Sequence, residues 1–150
     1  MEKYIGSKIV QAEPMSRSDW HESKGWPIPM EEEWDGEGYK VRYEDGYESW
    51  SPKEVFEAAY RRTDGMSFGL ALEAVKKGMR IARAGWNGKG MYVFLVHGMD
   101  FCTIADLSEL EDQDVEVLDC LVMRTATGAF CPGWLASQSD MLADDWYIVE

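Results

Sequence analysis

The sequence has few of the residues that build disulfide frameworks, metal centres or membrane spans. Its three cysteines, Cys102, Cys120 and Cys131, are an odd number without short spacing, which favours free thiols in a reducing compartment. The two histidines, His21 and His97, lack the partners of a zinc site, so we expect no metal and no cofactor. The chain has no apolar run near the ~20 residues of a membrane span, and its N-terminal residues do not resemble a signal peptide. We therefore expect a cytoplasmic protein that does not bind membranes.

Positive charge is also scarce. The chain has 15 basic and 28 acidic residues among 150, a net charge of -13. Such a balance argues against DNA or RNA binding, because nucleic-acid binding requires basic surface to displace counterions. It leaves room for a small anionic ligand, since one pocket can be locally positive or lined by backbone N–H groups.

The motifs of common enzyme classes are missing. The sequence has no nucleophile elbow, no phosphate-binding P-loop and no dinucleotide-binding glycine fingerprint. A Cys131–His97 pair has no support from spacing, and a structural thiol is the simpler interpretation. Asp140, Asp144 and Asp145 could suggest acid/base chemistry, but short acidic side chains near a helix end more often cap backbone groups. We expect no catalytic residues and no enzymatic activity.

A turn signal at Asp64-Gly65 divides the chain. Residues 1–62 carry 9 basic and 14 acidic residues, and residues 63–150 carry 6 and 14. We predict two small α+β domains, residues 1–62 and 66–150, each with a small antiparallel sheet and one main helix.

The first part contains one well-marked hairpin and one well-marked helix start. Residues 4–12 read as a strand and residues 16–38 as a loop. Period-two alternation over residues 38–43, followed by Asp45-Gly46, predicts a β-hairpin with residues 47–50. Ser51, Pro52 and Glu54 predict an N-cap, a first helical residue and a capping box. The apolar face predicted for this helix comprises Val55, Ala58 and Ala59.

The second part begins with an amphipathic helix. Ser67 is a candidate cap for a helix over residues 68–77, which Gly78 would end. Its apolar face is predicted to comprise Phe68, Ala71, Leu72 and Val75. A helix is also predicted over residues 135–142, and the acidic stretch 100–119 reads as a solvated loop with room for one short helix. The predicted strands are residues 80–83, 91–96, 121–124, 129–131 and 146–149.

Two segments of this second part could bind a ligand. Residues 83–91 combine three glycines with Trp86, Asn87 and Lys89, inside a stretch that has no acidic residue from 76 to 89. Such a segment allows stacking, base-edge hydrogen bonds and close backbone approach, although a plain hairpin turn is an equal alternative. Residues 131–142 place Trp134 before small polar residues at a helix start, where anions are favoured. The alternative is a core tryptophan and a serine cap.

At these residues the chain resembles a known family. Residues 68–72 (Phe-Gly-Leu-Ala-Leu), 83–91 (Arg-x-Gly-Trp-Asn-Gly-Lys-Gly-Met) and 132–146 (Pro-Gly-Trp-x-x-Ser-Gln-x-Asp-Met-Leu-x-x-Asp-Trp) occur in the order of the Thoeris anti-defence protein 2 family of phages. Residues 4–10 and 38–52 resemble a separate short phage-associated domain of unknown function.

The resemblance implies a protein that sequesters an immune signal in the cytoplasm of the infected bacterium. Family members bind cyclic ADP-ribose isomers without cleaving them, some also resemble binders of cyclic oligonucleotides, and they assemble as homotetramers with pockets between subunits. The residues that would line the ligand site are Phe68, Trp86, Asn87, Lys89, Trp134, Ser137, Gln138 and Asp140. The alternatives are a structural or protein-binding phage module without a small ligand, and a nucleotide-degrading enzyme.

Overall fold

Two units make up the computed structural model, residues 1–61 and residues 62–150. The structure describes residues 1–3, 6–30, 35–98, 100 and 116–150, so most of the predicted acidic loop lies outside the described residues. The units contain a three-stranded and a five-stranded sheet, both antiparallel, together with helices. This architecture confirms the predicted α+β class. Among the described residues, no helix has the length and apolar character needed to cross a membrane.

The first unit contains strands β1 (Gln11–Pro14), β2 (Gly38–Arg42) and β3 (Glu48–Pro52), in that order across the sheet. The predicted hairpin between β2 and β3 is confirmed. The strand predicted from residue 4 was wrong for residues 6–10, which have no regular structure. Gln11 pairs with Arg42, the last residue of β2, so residues before Gln11 have no partner strand to extend along.

Helix α1 (Arg17–Lys24) lies where a loop was predicted, so that prediction was wrong. The Ser16 hydroxyl caps the helix by accepting from the Asp19 N–H at 3.0 Å, and Gly25 ends it at φ 68°. Trp20 is its one buried residue. A helix with a single buried side chain shows no apolar period, which is why the pattern did not reveal it.

Helix α2 (Lys53–Ala59) forms where predicted, but without the predicted cap. Ser51 belongs to β3, paired with Tyr39, and Pro52 takes the N-cap position without a side-chain hydrogen bond. The helix contacts the sheet through Phe56, whose ring stacks on Tyr39 with centroids 4.4 Å apart. The predicted apolar face was also wrong, because all three of its members are exposed: Val55, Ala58 and Ala59.

The second unit contains helices α3 (Phe68–Lys76) and α4 (Gln138–Met141). Its strands are β4 (Arg80–Arg83), β5 (Tyr92–Val96), β6 (Cys120–Arg124), β7 (Phe130–Pro132) and β8 (Trp146–Val149). The strand order is β7-β6-β5-β4-β8. The predicted strands are confirmed to within a residue or two at their ends.

Helix α3 packs on β4, β5 and β8 and covers one face of the five-stranded sheet. Ala71 and Val75 are fully buried as predicted, whereas Leu72 is half-buried and Ala74 takes part in the core. Ser67 occupies the N-cap position but makes no side-chain cap bond, so only its position was predicted correctly. Gly78 follows the helix at φ 86°, a conformation that favours glycine.

The chain before α3 protects the open edge of β8. Backbone hydrogen bonds of 2.8 and 3.1 Å join Met66 to Trp146, and the Ile148 N–H donates to the Thr63 carbonyl at 3.0 Å. These bonds occupy the edge groups of β8 that would otherwise be unpaired. They also hold Trp146 at the centre of the unit, where its side chain is fully buried.

Candidate functional site

Trp146 is the centre of an aromatic cluster that unites distant parts of the second unit. The rings of Phe68, Trp86 and Trp134 lie 5.3, 5.4 and 6.2 Å from it, and Trp86 and Trp134 meet edge to face at 6.1 Å. The structure thus brings together all three aromatic residues of the predicted site. They come from the start of α3, the loop after β4 and the turn after β7.

Asp140 is the buried polar group of this cluster, with 8% of its surface exposed. Together with Ser137 it forms a capping box that starts α4. Its carboxylate accepts from the Ser137 N–H and hydroxyl, at 3.0 and 2.7 Å, while its own N–H donates to the Ser137 hydroxyl at 3.1 Å. This cap begins the helix at Gln138, and Leu142 ends it as the C-cap, so α4 is four residues long rather than the eight predicted.

The same carboxylate reaches the other predicted segment. Its Oδ1 accepts from the Trp86 indole N–H at 3.0 Å and from Arg83 Nη1 at 2.9 Å. The Asp140 backbone carbonyl accepts from the Trp146 indole N–H at 2.9 Å. One aspartate therefore joins the loop after β4, the start of α4 and the central tryptophan.

Asp145 fixes the loop after β4 from its other side. Its carboxylate accepts from Arg83 Nε and from the Gly85 N–H, both at 2.7 Å, and its carbonyl accepts from the Ala84 N–H at 3.1 Å. A Cβ atom on Gly85 would lie 2.8 Å from Asp145 Oδ2, so a side chain there would disturb this contact. Arg83 is thereby held between two carboxylates.

These contacts explain the acidity of the network. Burial raises the pKa of Asp140, but hydrogen bonds from Ser137, Trp86 and Arg83 outweigh it and hold that pKa at about 2. The hydrogen bond from Arg83 lowers the pKa of Asp145, and Asp145 and then Asp140 raise the pKa of Arg83. Both aspartates are therefore ionised at neutral pH and already paired.

The remaining predicted residues present polar groups to solvent. Asn87 and Lys89 are exposed in the loop that follows Trp86, and Gln138 is exposed in the first turn of α4. Leu135 and Leu142, 88% and 82% exposed, lie on either side of α4 in the sequence. The arrangement is an interlocked aromatic cluster bordered by exposed polar and apolar side chains.

The geometry does not support the alternative Cys131–His97 pair. Cys131 of β7 is the cross-strand partner of Met123 on β6, and Met123 is in turn the partner of Val93 on β5. His97 follows Val93 by four residues along the chain. That offset is roughly 13 Å along the strand direction. His97 Nδ1 instead lies 2.9 Å from Asp119 Oδ2. The described residues contain no group of three or more His, Cys, Asp or Glu that could hold a metal ion.

Two members of the network were not in the predicted site. Arg83 was noted only as the first residue of the segment 83–91, and Asp145 only as part of a carboxylate cluster. The signal was the presence of a charged residue at the end of β4 and of another just before β8. Their pairing across 62 residues of sequence could not be deduced from local pattern.

With the geometry described, comparison with known proteins identifies the second unit. Residues 66–149 match the family model Tad2-like, described as Thoeris anti-defense 2-like domain. The chain belongs to this family. It is also 37% identical over 84 residues to "Thoeris anti-defense 2" of Bacillus phage SP01, a match that spans 56% of this chain and 94% of that relative.

The match places the whole aromatic and carboxylate network inside the Thoeris anti-defense 2-like domain. It confirms the family predicted from the three sequence blocks and supports a phage anti-defence role against Thoeris. The family's name describes counter-defence and not a catalysed reaction. The resemblance of the first unit to a phage-associated domain stays a prediction.

Proposed function

We propose that residues 66–150 bind a cyclic ADP-ribose-type immune signal, or a related cyclic oligonucleotide, and sequester it without cleaving it. Removal of the signal would block Thoeris-type immunity before an effector is activated. The observation that carries the proposal is the presence of exposed hydrogen-bonding side chains next in sequence to the residues of a hydrogen-bonded aromatic cluster, in a Thoeris anti-defense 2-like domain.

The hydrogen bonds divide the predicted residues into two groups. Asp140 and Ser137 satisfy each other and the Trp86 indole, so we assign them the role of holding the site in shape. Phe68 supports the cluster through Trp146. The residues assigned to direct ligand contact are Trp86, Asn87, Lys89, Trp134 and Gln138. Because Asp140 occupies the Trp86 N–H, this indole can offer a ligand its ring but not its donor.

The ligand chemistry follows from the assigned contacts. The Trp86 and Trp134 rings suit a purine base, the Asn87 and Gln138 amides suit base edges or ribose hydroxyls, and Lys89 suits a phosphate. A cyclic ligand loses little conformational entropy on binding, so tight capture is feasible.

The carboxylates of Asp140 and Asp145 are ionised and paired, which is consistent with a protein that retains its ligand without cleaving it. A general base works best when its pKa is near the operating pH. Asp140 has a pKa of about 2 and Asp145 a lowered pKa, and both are engaged by Arg83. Neither is therefore suited to accept a proton from an attacking water near neutral pH.

We also propose that the protein is a homo-oligomer, a tetramer by analogy with the family, with the ligand enclosed between copies. Ligand sites usually bury most of their ligand, which is difficult for a domain of this size alone. The exposed side chains of Leu135 and Leu142 beside the cluster offer apolar surface to a neighbouring copy or to the ligand.

The test is calorimetric titration of the full chain with a cyclic ADP-ribose isomer produced by a TIR enzyme, followed by denaturation and chromatography of the released ligand. We expect tight binding and intact release. Asn87→Ala and Lys89→Ala should each weaken binding by about tenfold, the loss of one polar contact to a charged or polar ligand. Gln11→Ala, which truncates an exposed amide in the first unit, is the matched control and should bind as wild type.

Two outcomes would contradict the proposal. No binding heat with this isomer and with a panel of cyclic dinucleotides and trinucleotides would favour a structural or protein-binding module. A new product that accumulates beyond one molecule per site would show that the protein is an enzyme.

A further inference from the structure

The loop between β4 and β5 carries three of the residues assigned to ligand contact, and it is long for a hairpin. It comprises the eight residues 84–91, whereas most hairpin loops have roughly two to five. Trp86, Asn87 and Lys89 belong to it. Because ordering a loop on binding costs conformational entropy, the affinity of such a site depends on how firmly the folded protein already holds the loop.

The two ends of this loop are held by different strands. Asp145, just before β8, holds the first end through its hydrogen bonds with Arg83 and the Gly85 N–H. Arg124 of β6 holds the last end, because its Nη1 donates to the Gly90 carbonyl at 2.7 Å. Two anchors from separate strands therefore enclose the residues assigned to ligand contact.

Strand register places Arg124 at this position. It is the cross-strand partner of Tyr92, the residue that begins β5 directly after the loop. Its guanidinium carbon lies 5.9 Å from the centroid of the Tyr92 ring, a distance at which the cation and the ring attract each other. Gly90 has a φ of 69°, so the carbonyl that Arg124 holds belongs to a backbone conformation that favours glycine.

The middle of the loop lies against the turn between β6 and β7. A Cβ atom on Gly88 would be 2.7 Å from the Ala126 Cβ and closer still to the Met91 sulfur. The Met91 side chain can rotate away, whereas the position of the Ala126 Cβ is set by its backbone. The Gly128 N–H donates to the Thr125 carbonyl at 2.9 Å and closes this turn. The loop thus contacts the strand pair that contains Arg124 at a second point.

We propose that Arg124 is a positioning residue of the ligand site, which together with Asp145 holds the 84–91 loop in the conformation that presents Asn87 and Lys89 to the ligand. This role rests on the sequestration function proposed above. Arg124 acts through the Gly90 carbonyl and not through a contact with the ligand. The conformational entropy of the loop is then lost on folding rather than on binding, which strengthens binding without an added ligand contact.

The first test compares loop order in Arg124→Ala and Arg80→Ala, in the full chain without ligand. Arg80 is the matched control, because its guanidinium carbon also lies near the Tyr92 ring, at 5.3 Å, but within the described residues it donates no hydrogen bond to the loop. ¹⁵N relaxation of the Gly88 and Gly90 amides measures the order. We expect order parameters of about 0.85 in the wild type and in Arg80→Ala, and below about 0.6 in Arg124→Ala.

The second test measures affinity by calorimetric titration with the cyclic ADP-ribose isomer. Arg124→Ala should weaken binding by about tenfold, since the side chains of Asn87 and Lys89 must then be ordered on binding. Arg124→Lys should restore most of the affinity, because an ammonium group can still donate to the Gly90 carbonyl. Arg80→Ala, which removes the same charge, should bind as wild type.

A second variant covers the case in which Arg124→Ala does not fold. Gly88→Ala should displace the middle of the loop from Ala126 and weaken binding by a similar factor. Wild-type affinity in Gly88→Ala would contradict the importance of the loop conformation.

The remaining outcomes separate the alternatives. Unchanged loop order in Arg124→Ala, or equal loosening in Arg80→Ala, would overturn the proposal. Weaker binding with an ordered loop would make Arg124 a direct ligand contact, and a loosened loop with unchanged affinity would show that its order is unimportant for binding; either result overturns the positioning role. Absence of binding by the wild type would overturn the sequestration function itself, and the relaxation data distinguish that result from a failure of the Arg124 anchor.

Discussion

Glu48 in the first unit and Asp140 in the second both have a pKa of about 2, but their surroundings differ. Arg42 and then Lys24 lower the pKa of Glu48 by hydrogen bonds at the surface, and Lys40 lies 3.4 Å away. Asp140 is buried and depends on Ser137, Trp86 and Arg83. The flexible lysine and arginine side chains around Glu48 can be replaced by water, whereas the partners of Asp140 are fixed by the fold.

The comparison shows that a low pKa alone does not reveal how much a carboxylate contributes to the stability of the folded protein. Surface ion pairs contribute little, because solvent and salt screen them and long side chains lose entropy on pairing. A buried carboxylate that satisfies several donors is different, because its removal leaves those donors unpaired away from water. Replacement of Asp140 should therefore lower the free energy of unfolding far more than replacement of Glu48.

The largest expected effect is the difference in stability loss between Asp140→Ala and Glu48→Ala. Asp140→Ala should destabilise the second unit by about 3 kcal/mol, because it removes one of the two carboxylates that hold Arg83 and leaves the Trp86 indole N–H and the Ser137 N–H without their acceptor. Glu48→Ala should cause a much smaller change. Urea unfolding of the full chain, followed by tryptophan emission, measures both. Equal losses in the two variants would show that burial does not distinguish these carboxylates.

A smaller effect should appear in the pH dependence of stability. The pKa of Asp140 lies below its ordinary value of 3.8, so its contribution is present above about pH 4 and is lost as the pH falls towards 2. A shift of this size corresponds to about 2 kcal/mol. Unfolding free energies measured between pH 6 and pH 2 should therefore fall more steeply in the wild type than in Asp140→Asn. Parallel curves for the two proteins would contradict the assignment.

The smallest effect separates Ser137, which caps a helix, from Ser51, which was predicted to cap one and does not. Ser137→Ala should cost about 1 kcal/mol, since it removes a real cap on α4. Ser51→Ala should stay within about 0.5 kcal/mol of the wild type, because Ser51 lies in β3 and caps nothing. Thermal unfolding of both variants measures the difference. A larger loss at Ser51 would mean that the serine is important to the hairpin.

Local sequence patterns predicted an element correctly where a single signal, such as an apolar period or a turn dipeptide, determined that element. The apolar period of α3, the continuous apolar run of β5 and the Asp45-Gly46 hairpin all produced the predicted elements. Helix α1 was missed because its single buried residue, Trp20, leaves no period to detect. The Ser51 cap was wrong because pairing with β2 extends β3 through that serine and moves the helix start to Lys53.

The candidate site was predictable as a set of residues but not as a network. The sequence blocks indicated Trp86, Trp134 and Asp140, and the family comparison covers all three. Their roles required the structure, because the Asp140 carboxylate consumes the Trp86 donor that a ligand would otherwise use. Arg83 became a connecting residue only when both of its aspartates were located.

The sequence by itself determined the strands of the second unit, its main helix, the family and the residue types near the site, because these depend on local periodicity, turn chemistry and three ordered blocks. Only the tertiary structure decided which charges are paired. Arg83 and Asp140 are 57 residues apart, and their contact depends on sheet order and on the short α4. Alternation along β4 also places Arg80 and Arg83 on opposite faces of the sheet, and of these two arginines only Arg83 has carboxylate partners among the described residues.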